Sequence, residues 1–356
     1  MGNEPTTLRP APMEGGGAYN RSSRVQDTGS APAVPPFGQA AASVPLPAPP
    51  APIVIADYGS SQGHNSFGPI AVAIHALRER TSQSISVVHT DLPGNDFSTL
   101  FQALEADPAS YLRTAPEVFS SAVGRTFYKQ VLPSASVTLG WCSWAVQWLS
   151  RIPAPIPDQV QVAYSRDAAV RALYERQAAD DWRTFLTHRS RELRPGGKLV
   201  ILTMALAADG DFGYRPILDA MYAALLDLVD VGFLGAEELH RMAVPTVGRS
   251  LADLQAPFAD GPFAGLLLEH AEVFMGVDTI WNGFERDRDA MAFGAGWAAF
   301  SRASVLPTLA LGLDQGASDL RVAEFLDRTE AGMAARLEAA PEKVVIPLGL
   351  AVLRKA

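Results

Sequence analysis

Apolar positions in this chain fall into short runs whose spacing changes along its length. Residues 53–56 form an apolar run with strand character, 57–65 a Gly/Ser loop, and 66–80 repeat apolar residues at helical spacing. A second strand is expected at 85–89, and 137–140, 199–204 and 344–353 are further strand candidates. A long helix is predicted over 168–193, stopped by Pro195, Gly196 and Gly197. Strands alternating with helices argue for an α/β protein with a mostly parallel sheet. The rhythm breaks over 216–320, where helical patterns interrupted by PTVGRS and GFERDRD predict a mainly helical cap. Residues 321–356 then return as a helix and strand that complete the 53–215 core. Residues 31–52 are Ala/Pro-rich and predict an extended linker or surface loop. The polar, Gly-containing segment within 1–30 reads by composition alone as disordered.

Composition narrows the function classes. The chain has 356 residues, 48% hydrophobic and 19% charged, a globular balance that excludes a fully disordered, collagen-like or coiled-coil chain. A formal charge of -9 disfavours a nonspecific grip on nucleic acid and points to a small-molecule partner. The single cysteine, Cys142, can form neither an intramolecular disulfide nor a thiolate cage, which suits a reducing compartment. The N-terminus lacks a secretory h-region and no apolar stretch is long enough to span a bilayer, so a cytoplasmic location is expected.

The first strand-to-helix loop carries the candidate chemistry. In an open α/β sheet the ligand binds at the carboxyl ends of the strands. The run from Asp57 to Gly63 has D-x-G-x-x-x-G spacing, which is neither a dinucleotide fingerprint nor a P-loop, and this disfavours NAD and ATP. Glycines after a strand are often only a turn, and an Asp there only a cap. A carboxylate at Asp57 with a second at Asp91, after the next strand, instead suits a ligand with a positive amino group and a ribose. S-adenosylmethionine has both.

Several ordered motifs extend the pattern: Tyr19 with Ser22 to Gln26; Ile55 to Ser61; Asp91-Leu92-Pro93-Gly94-Asn95-Asp96-Phe97; Gly124 to Tyr128; Trp148 to Pro153; and Arg194 to Lys198. In these the chain resembles the SABATH methyltransferases, S-adenosylmethionine-dependent enzymes that methylate small carboxylic acids, with a branch acting on xanthine nitrogens. The resemblance implies a Rossmann-like class I methyltransferase sheet with helices on both faces and a helical cap. It places Ser23, Asp57, Gly59, Asn65, Asp91, Leu92, Thr126 and Phe127 at the cofactor, with Asp91 on the ribose and Leu92 and Phe127 about the adenine. Cys142 takes a place usually held by a serine beside the cofactor; a buried role is favoured there over a catalytic thiol. Tyr19, Gln26, Trp144, Gln147 and Trp148 fall on substrate-lining positions, so the N-terminal segment should be ordered over the site despite its composition. Family members are commonly homodimers, and 265–268 and 297–300 offer either core or partner surface.

A carboxylic acid is already ionised at pH 7, so methyl transfer to it needs no general base. Positioning suffices, with an oxygen held about 3 Å from the methyl carbon in line with the departing sulfur. Gln26 and Trp148 can each donate a hydrogen bond to the carboxylate and are the candidate catalytic residues. Trp141 is read as core. The six histidines show no metal-ligand spacing, and 240–245 (HRMAVP) departs from the Asp and Asn that plant members of the resembled family often carry there, a place associated with Mg²⁺, so no metal is expected. The competing readings are transfer to a ring nitrogen or hydroxyl, a catalytically idle ligand-binding homologue, and a nicotinamide oxidoreductase, against which the loop spacing counts.

Overall fold

The computed structural model describes residues 9–22, 24–113 and 115–356; the side chains of residues 24 and 27 lie outside that description. Seven strands form one sheet: β1 (Ile53–Tyr58), β2 (Ile85–Asp91), β3 (Val118–Gly124), β4 (Val137–Ser143), β5 (Leu193–Met204), β6 (Leu266–Met275) and β7 (Pro347–Lys355). Their order is β3-β2-β1-β4-β5-β7-β6. The first five pair in parallel, and β7 runs antiparallel to both β5 and β6. The chain steps outward from β1 through β2 to β3, then returns to the other side of β1 as β4. This reversal opens a crevice at the carboxyl ends of β1 and β4, where ligands of open α/β sheets bind.

Branched and apolar residues dominate β1, β4 and the second half of β5, and β1, β4 and residues 199–203 of β5 are almost wholly buried. The helix Ala168–Glu192 starts at Asp167, whose carboxylate accepts from the Ala169 and Val170 N–H groups. It gives way directly to β5, and a register shift between Val137 and Leu139 accommodates the turn at Pro195 to Gly197.

Two expectations require correction. Residues 31–52 are not an extended linker: Ala31–Ala33 is a 3₁₀ turn and Val34–Ser43 an α-helix with Phe37, Ala40 and Ala41 buried. Its prolines sit in the first turn, where a missing N–H costs no helical hydrogen bond, and the alanines that follow are strong helix formers. Phe37 packs on Trp141 with ring centroids 4.8 Å apart, and Arg80 donates to the Ala41 and Val44 carbonyls at 2.8 and 2.9 Å, closing the helix end. Only 44–52 is irregular. The second correction concerns 216–320, which is mainly helical but also supplies edge strand β6, so residues 265–268 enter the sheet. Within the helix Ala290–Ser304, Trp297 and Ala298 are fully buried against the chain itself. Helix Val322–Ala339 packs between this helix and Arg215–Asp230. Among the described residues no helix is long and apolar enough to cross a membrane.

Candidate active site

A cleft of about 830 Å³ lies along the carboxyl ends of β1, β2 and β4. Gly59 forms its floor with φ 87°, a conformation that favours glycine, and a Cβ there would come within 2.4 Å of the Ala145 Cβ. Asp91 closes β2, and its two carboxylate oxygens accept from the Ser61 and Leu92 N–H groups, each at 2.7 Å. Burial in the cleft outweighs those two hydrogen bonds and raises the Asp91 pKa to about 6. Leu92, Thr126 and Phe127 also line the cleft.

Phe127 is held from below. The fully buried Arg189 donates to the Phe127 and Lys129 carbonyls at 2.8 and 2.9 Å and to Glu192 Oε1 at 2.8 Å. Glu192 in turn accepts from the Val131 and Leu132 N–H groups and from the Tyr58 hydroxyl. The Phe127 end of the cleft therefore rests on a buried ion pair rather than on a free loop.

Asp57 stands one layer deeper. It is 1% exposed, is absent from the cleft lining, and its Oδ2 lies 2.8 Å from Nδ1 of His89. His89 Nε2 lies 2.8 Å from the Tyr111 hydroxyl, which donates to Ser120 Oγ at 3.2 Å. Asn65 hydrogen-bonds the Tyr19 hydroxyl, and burial together with the nearby Asp91 and Asp57 pushes the Tyr19 pKa up. Cys142 is buried in the sheet interior, where desolvation raises its thiol pKa; it does not line the cleft. Ser23 lies outside the described residues.

A second, smaller cavity of about 70 Å³ shares Met13, Tyr19, Trp144 and Trp148 with the cleft, and Gln26 and Gln147 also line it. All five expected substrate-lining residues thus meet around one space. Trp144 has φ 55°, and its indole presses against Gly29, where a Cβ would lie 2.6 Å from Cζ2. Gln147 accepts from Thr203 Oγ1 at 3.3 Å. Gln26 is 5% exposed, and its Oε1 and the Trp144 Nε1 have no partner. The described side chains lining this cavity include no Asp, Glu, Lys, Arg or His.

Among the described N-terminal residues, Met13 and Tyr19 line both spaces, Arg9 to Pro12 the cleft and Gln26 the cavity. Glu14 pairs with Arg302 at 3.2 Å, its N–H donates to Ala303 O, and its carbonyl accepts from Gln62 Nε2 at 2.7 Å. Some contributions could not be read from sequence, although Tyr128 ends the Gly124 to Tyr128 motif. Tyr128 lines the cleft, donates to the Trp148 carbonyl at 2.5 Å and hydrogen-bonds the buried Arg249, so it fixes the backbone that carries Trp148. Gln161, Phe212 and Tyr214 join the cavity wall from loops far along the chain.

A glycine cradle at the switch point and a carboxylate at the second strand end, on a sheet of this order, define a Rossmann-like methyltransferase of the S-adenosylmethionine class. The residues present fit that cofactor: the Gly59 floor leaves room that a side chain would fill, and the buried Ser60 and Ser61 hydroxyls beside it lack partners. Residues 9–348 match the model of the family described as SAM dependent carboxyl methyltransferase, and the chain belongs to that family, the SABATH methyltransferases.

Methyltransferase FUS9 of Gibberella fujikuroi is 32% identical over 246 residues, 68% of this chain and 66% of that protein. The alignment thus spans just under two thirds of that relative's length. The benzoic acid/salicylic acid carboxyl methyltransferase 2 of Petunia hybrida is 28% identical over 284 residues, 75% of this chain and 77% of that one. The solved structure of a loganic acid methyltransferase with SAH shares the fold, with a TM-score of 0.78 at 22% identity over 97% of this chain and 99% of that one.

Proposed function

We propose that this protein transfers the methyl group of S-adenosylmethionine to the carboxylate of a small aromatic or otherwise apolar acid, giving a methyl ester. The observation that carries this reading is the absence of any charged or imidazole side chain among those described around the small cavity. Such a wall offers no general base, so it suits a nucleophile that is ionised before it arrives, and a carboxylate is one at pH 7. It also offers no fixed cation to quench that nucleophile.

The cofactor supplies a methyl group activated on a sulfonium. Asp91 is assigned to its ribose, Leu92 and Phe127 to the base, and Gly59 to the close backbone approach. Asp57 is assigned to orienting this end through the loop it anchors. The acid carboxylate sits at the junction formed by Tyr19, Trp144 and Trp148, with its apolar body in the cavity. Gln26 and the Trp148 indole donate neutral hydrogen bonds that orient it. We also propose a two-fold symmetric homodimer, resting on the resemblance alone, because Trp297, Ala298 and Leu266 are internal.

The test is a panel of aromatic and aliphatic acids incubated with S-adenosylmethionine, reading S-adenosylhomocysteine release and product mass. Ester formation from at least one acid supports the proposal. Methylation confined to heterocyclic nitrogens or phenols assigns the nucleophile differently, and no turnover across the panel favours an idle homologue.

A further inference from the structure

Most polar groups around the small cavity are already paired. Ser301 and Ser304 donate to the Trp297 and Phe300 carbonyls, and the Gln161 amide donates to Thr246 at 2.6 Å. Besides Gln26 Oε1 and Trp144 Nε1 at the cavity's proposed acid end, the Tyr214 hydroxyl is an exception. Tyr214 is 4% exposed and lines this cavity, and its oxygen has no partner. A buried hydroxyl without a partner costs free energy, and in a native structure such a group calls for an explanation such as a ligand.

The backbone around Tyr214 is built to hold it there. Tyr214 adopts φ 61° at the head of helix Arg215–Asp230, a left-handed conformation that a bulky residue keeps only when its surroundings enforce it. Its N–H donates to the Val345 carbonyl at 3.1 Å. The preceding Gly213 has φ 74°, leaves no room for a Cβ against the Val345 carbonyl, and receives a 2.6 Å hydrogen bond from the Tyr164 hydroxyl at its own carbonyl. Ile217, Leu218 and Met221 of the same helix line the cavity with apolar surface alongside it. Burial and the Asp278 carboxylate push the phenol pKa well above its ordinary value, so the group stays a donor at neutral pH.

We propose that the Tyr214 hydroxyl is a specificity-determining donor that hydrogen-bonds an oxygen substituent of the acid away from its carboxyl group. The chain then prefers hydroxylated or oxo-substituted acids to their unsubstituted counterparts. This inference rests on the assignment of the cavity to the acid. A site built to pair with a substrate hydroxyl rejects the analogue lacking it, because its own polar group is then left unpaired.

The experiment compares the wild-type protein with Tyr214→Phe, which removes one oxygen and keeps the ring. The probes are benzoate with its 2-, 3- and 4-hydroxy isomers, phenylacetate with 4-hydroxyphenylacetate, and cinnamate with 4-hydroxycinnamate. In at least one pair the wild-type protein should prefer the hydroxylated member, and Tyr214→Phe should reduce that preference about tenfold or more, through KM rather than kcat. Titration of the same acids into the protein loaded with S-adenosylhomocysteine reads the affinity ratio without turnover. Absence of ester with the affinity ratio shifted would therefore sink the methylation reading and keep this one. Preference ratios unchanged in every pair, or no binding of any acid, would overturn it. So would a melting temperature lowered by more than about 4 °C, which would show that the hydroxyl has an internal partner.

Discussion

Asp57 on β1 and His89 on β2 stand opposite each other in register, and Oδ2 of one lies 2.8 Å from Nδ1 of the other in an interior that water does not reach. Tyr111 completes the line at His89 Nε2. Removing the imidazole strands a carboxylate oxygen and takes one partner from the Tyr111 hydroxyl. The substitution His89→Leu should therefore destabilise the protein by about 2–4 kcal/mol, the scale of leaving buried polar groups unpaired. It should also weaken cofactor binding, because Asp57, which leads into the loop after β1, loses its partner. His89→Gln, which can still meet Asp57, should recover part of both. Chemical denaturation and calorimetric titration with S-adenosylhomocysteine read the two effects; equal stability of wild type and His89→Leu would remove the pair from the account.

Asp91 carries a pH prediction. Its folded pKa of about 6 lies above the ordinary carboxylate value, so its ionisation disfavours the folded cofactor-free protein. The stability it contributes is full below the unfolded pKa, near 4, and is lost as pH rises through about 6. With Asp91 on the ribose as proposed, cofactor binding has the opposite sign, since the ribose hydroxyls would donate to the ionised form. S-adenosylhomocysteine affinity should be level above pH 7 and fall about tenfold per pH unit below 6. Asp91→Ala should cost about 1.5–3 kcal/mol of affinity and abolish that slope. A slope retained in Asp91→Ala would place the titrating group elsewhere.

Two glycine substitutions distinguish the proposed cofactor cleft from the proposed acid cavity. Gly59→Ala puts a methyl against Ala145 under the cleft, in a backbone conformation that alanine resists, and should reduce cofactor affinity at least tenfold. Gly29→Ala drives into the Trp144 indole and should raise the KM for the acid while leaving the affinity for S-adenosylhomocysteine within about twofold. Titrations with each ligand distinguish them, and a shared phenotype would mean that the two spaces are not functionally distinct.

The neutral lining of the cavity predicts the rate profile. At saturating cofactor, kcat should stay level from about pH 6.5 to 9, because no side chain must lose a proton. Trp148→Phe removes one indole donor and should lower kcat/KM for the acid about tenfold or more, while Gln26→Glu, which sets a negative charge against the carboxylate, should lower it further. A limb near pH 7 in kcat would require a base that the cavity wall does not show.

The central strands were readable from sequence because they are buried on both faces and appear as uninterrupted apolar runs. Edge strand β6 was not, since Glu269, His270 and Glu272 on its exposed side break the apolar pattern. The helix Val34–Ser43 was hidden by its prolines, whose meaning depends on where in the first turn they fall. The site divides in the same way. Asp91, Leu92, Thr126 and Phe127 stand in contiguous motifs, and all four line the cleft. Tyr128 ends one of those motifs, but what its hydroxyl does, like the contributions of Gln161 and Tyr214, could not be read from it, because these arise from a carbonyl, a cavity wall and a left-handed turn that only the folded chain brings together.

The measurement that tests the central claim most directly is the chemical identity of the methylated product. Incubation with methyl-labelled S-adenosylmethionine and the acid panel should give a labelled methyl group that mild alkali releases as methanol, in step with S-adenosylhomocysteine formation. A label that survives alkali, as on nitrogen or an ether oxygen, would contradict carboxyl transfer.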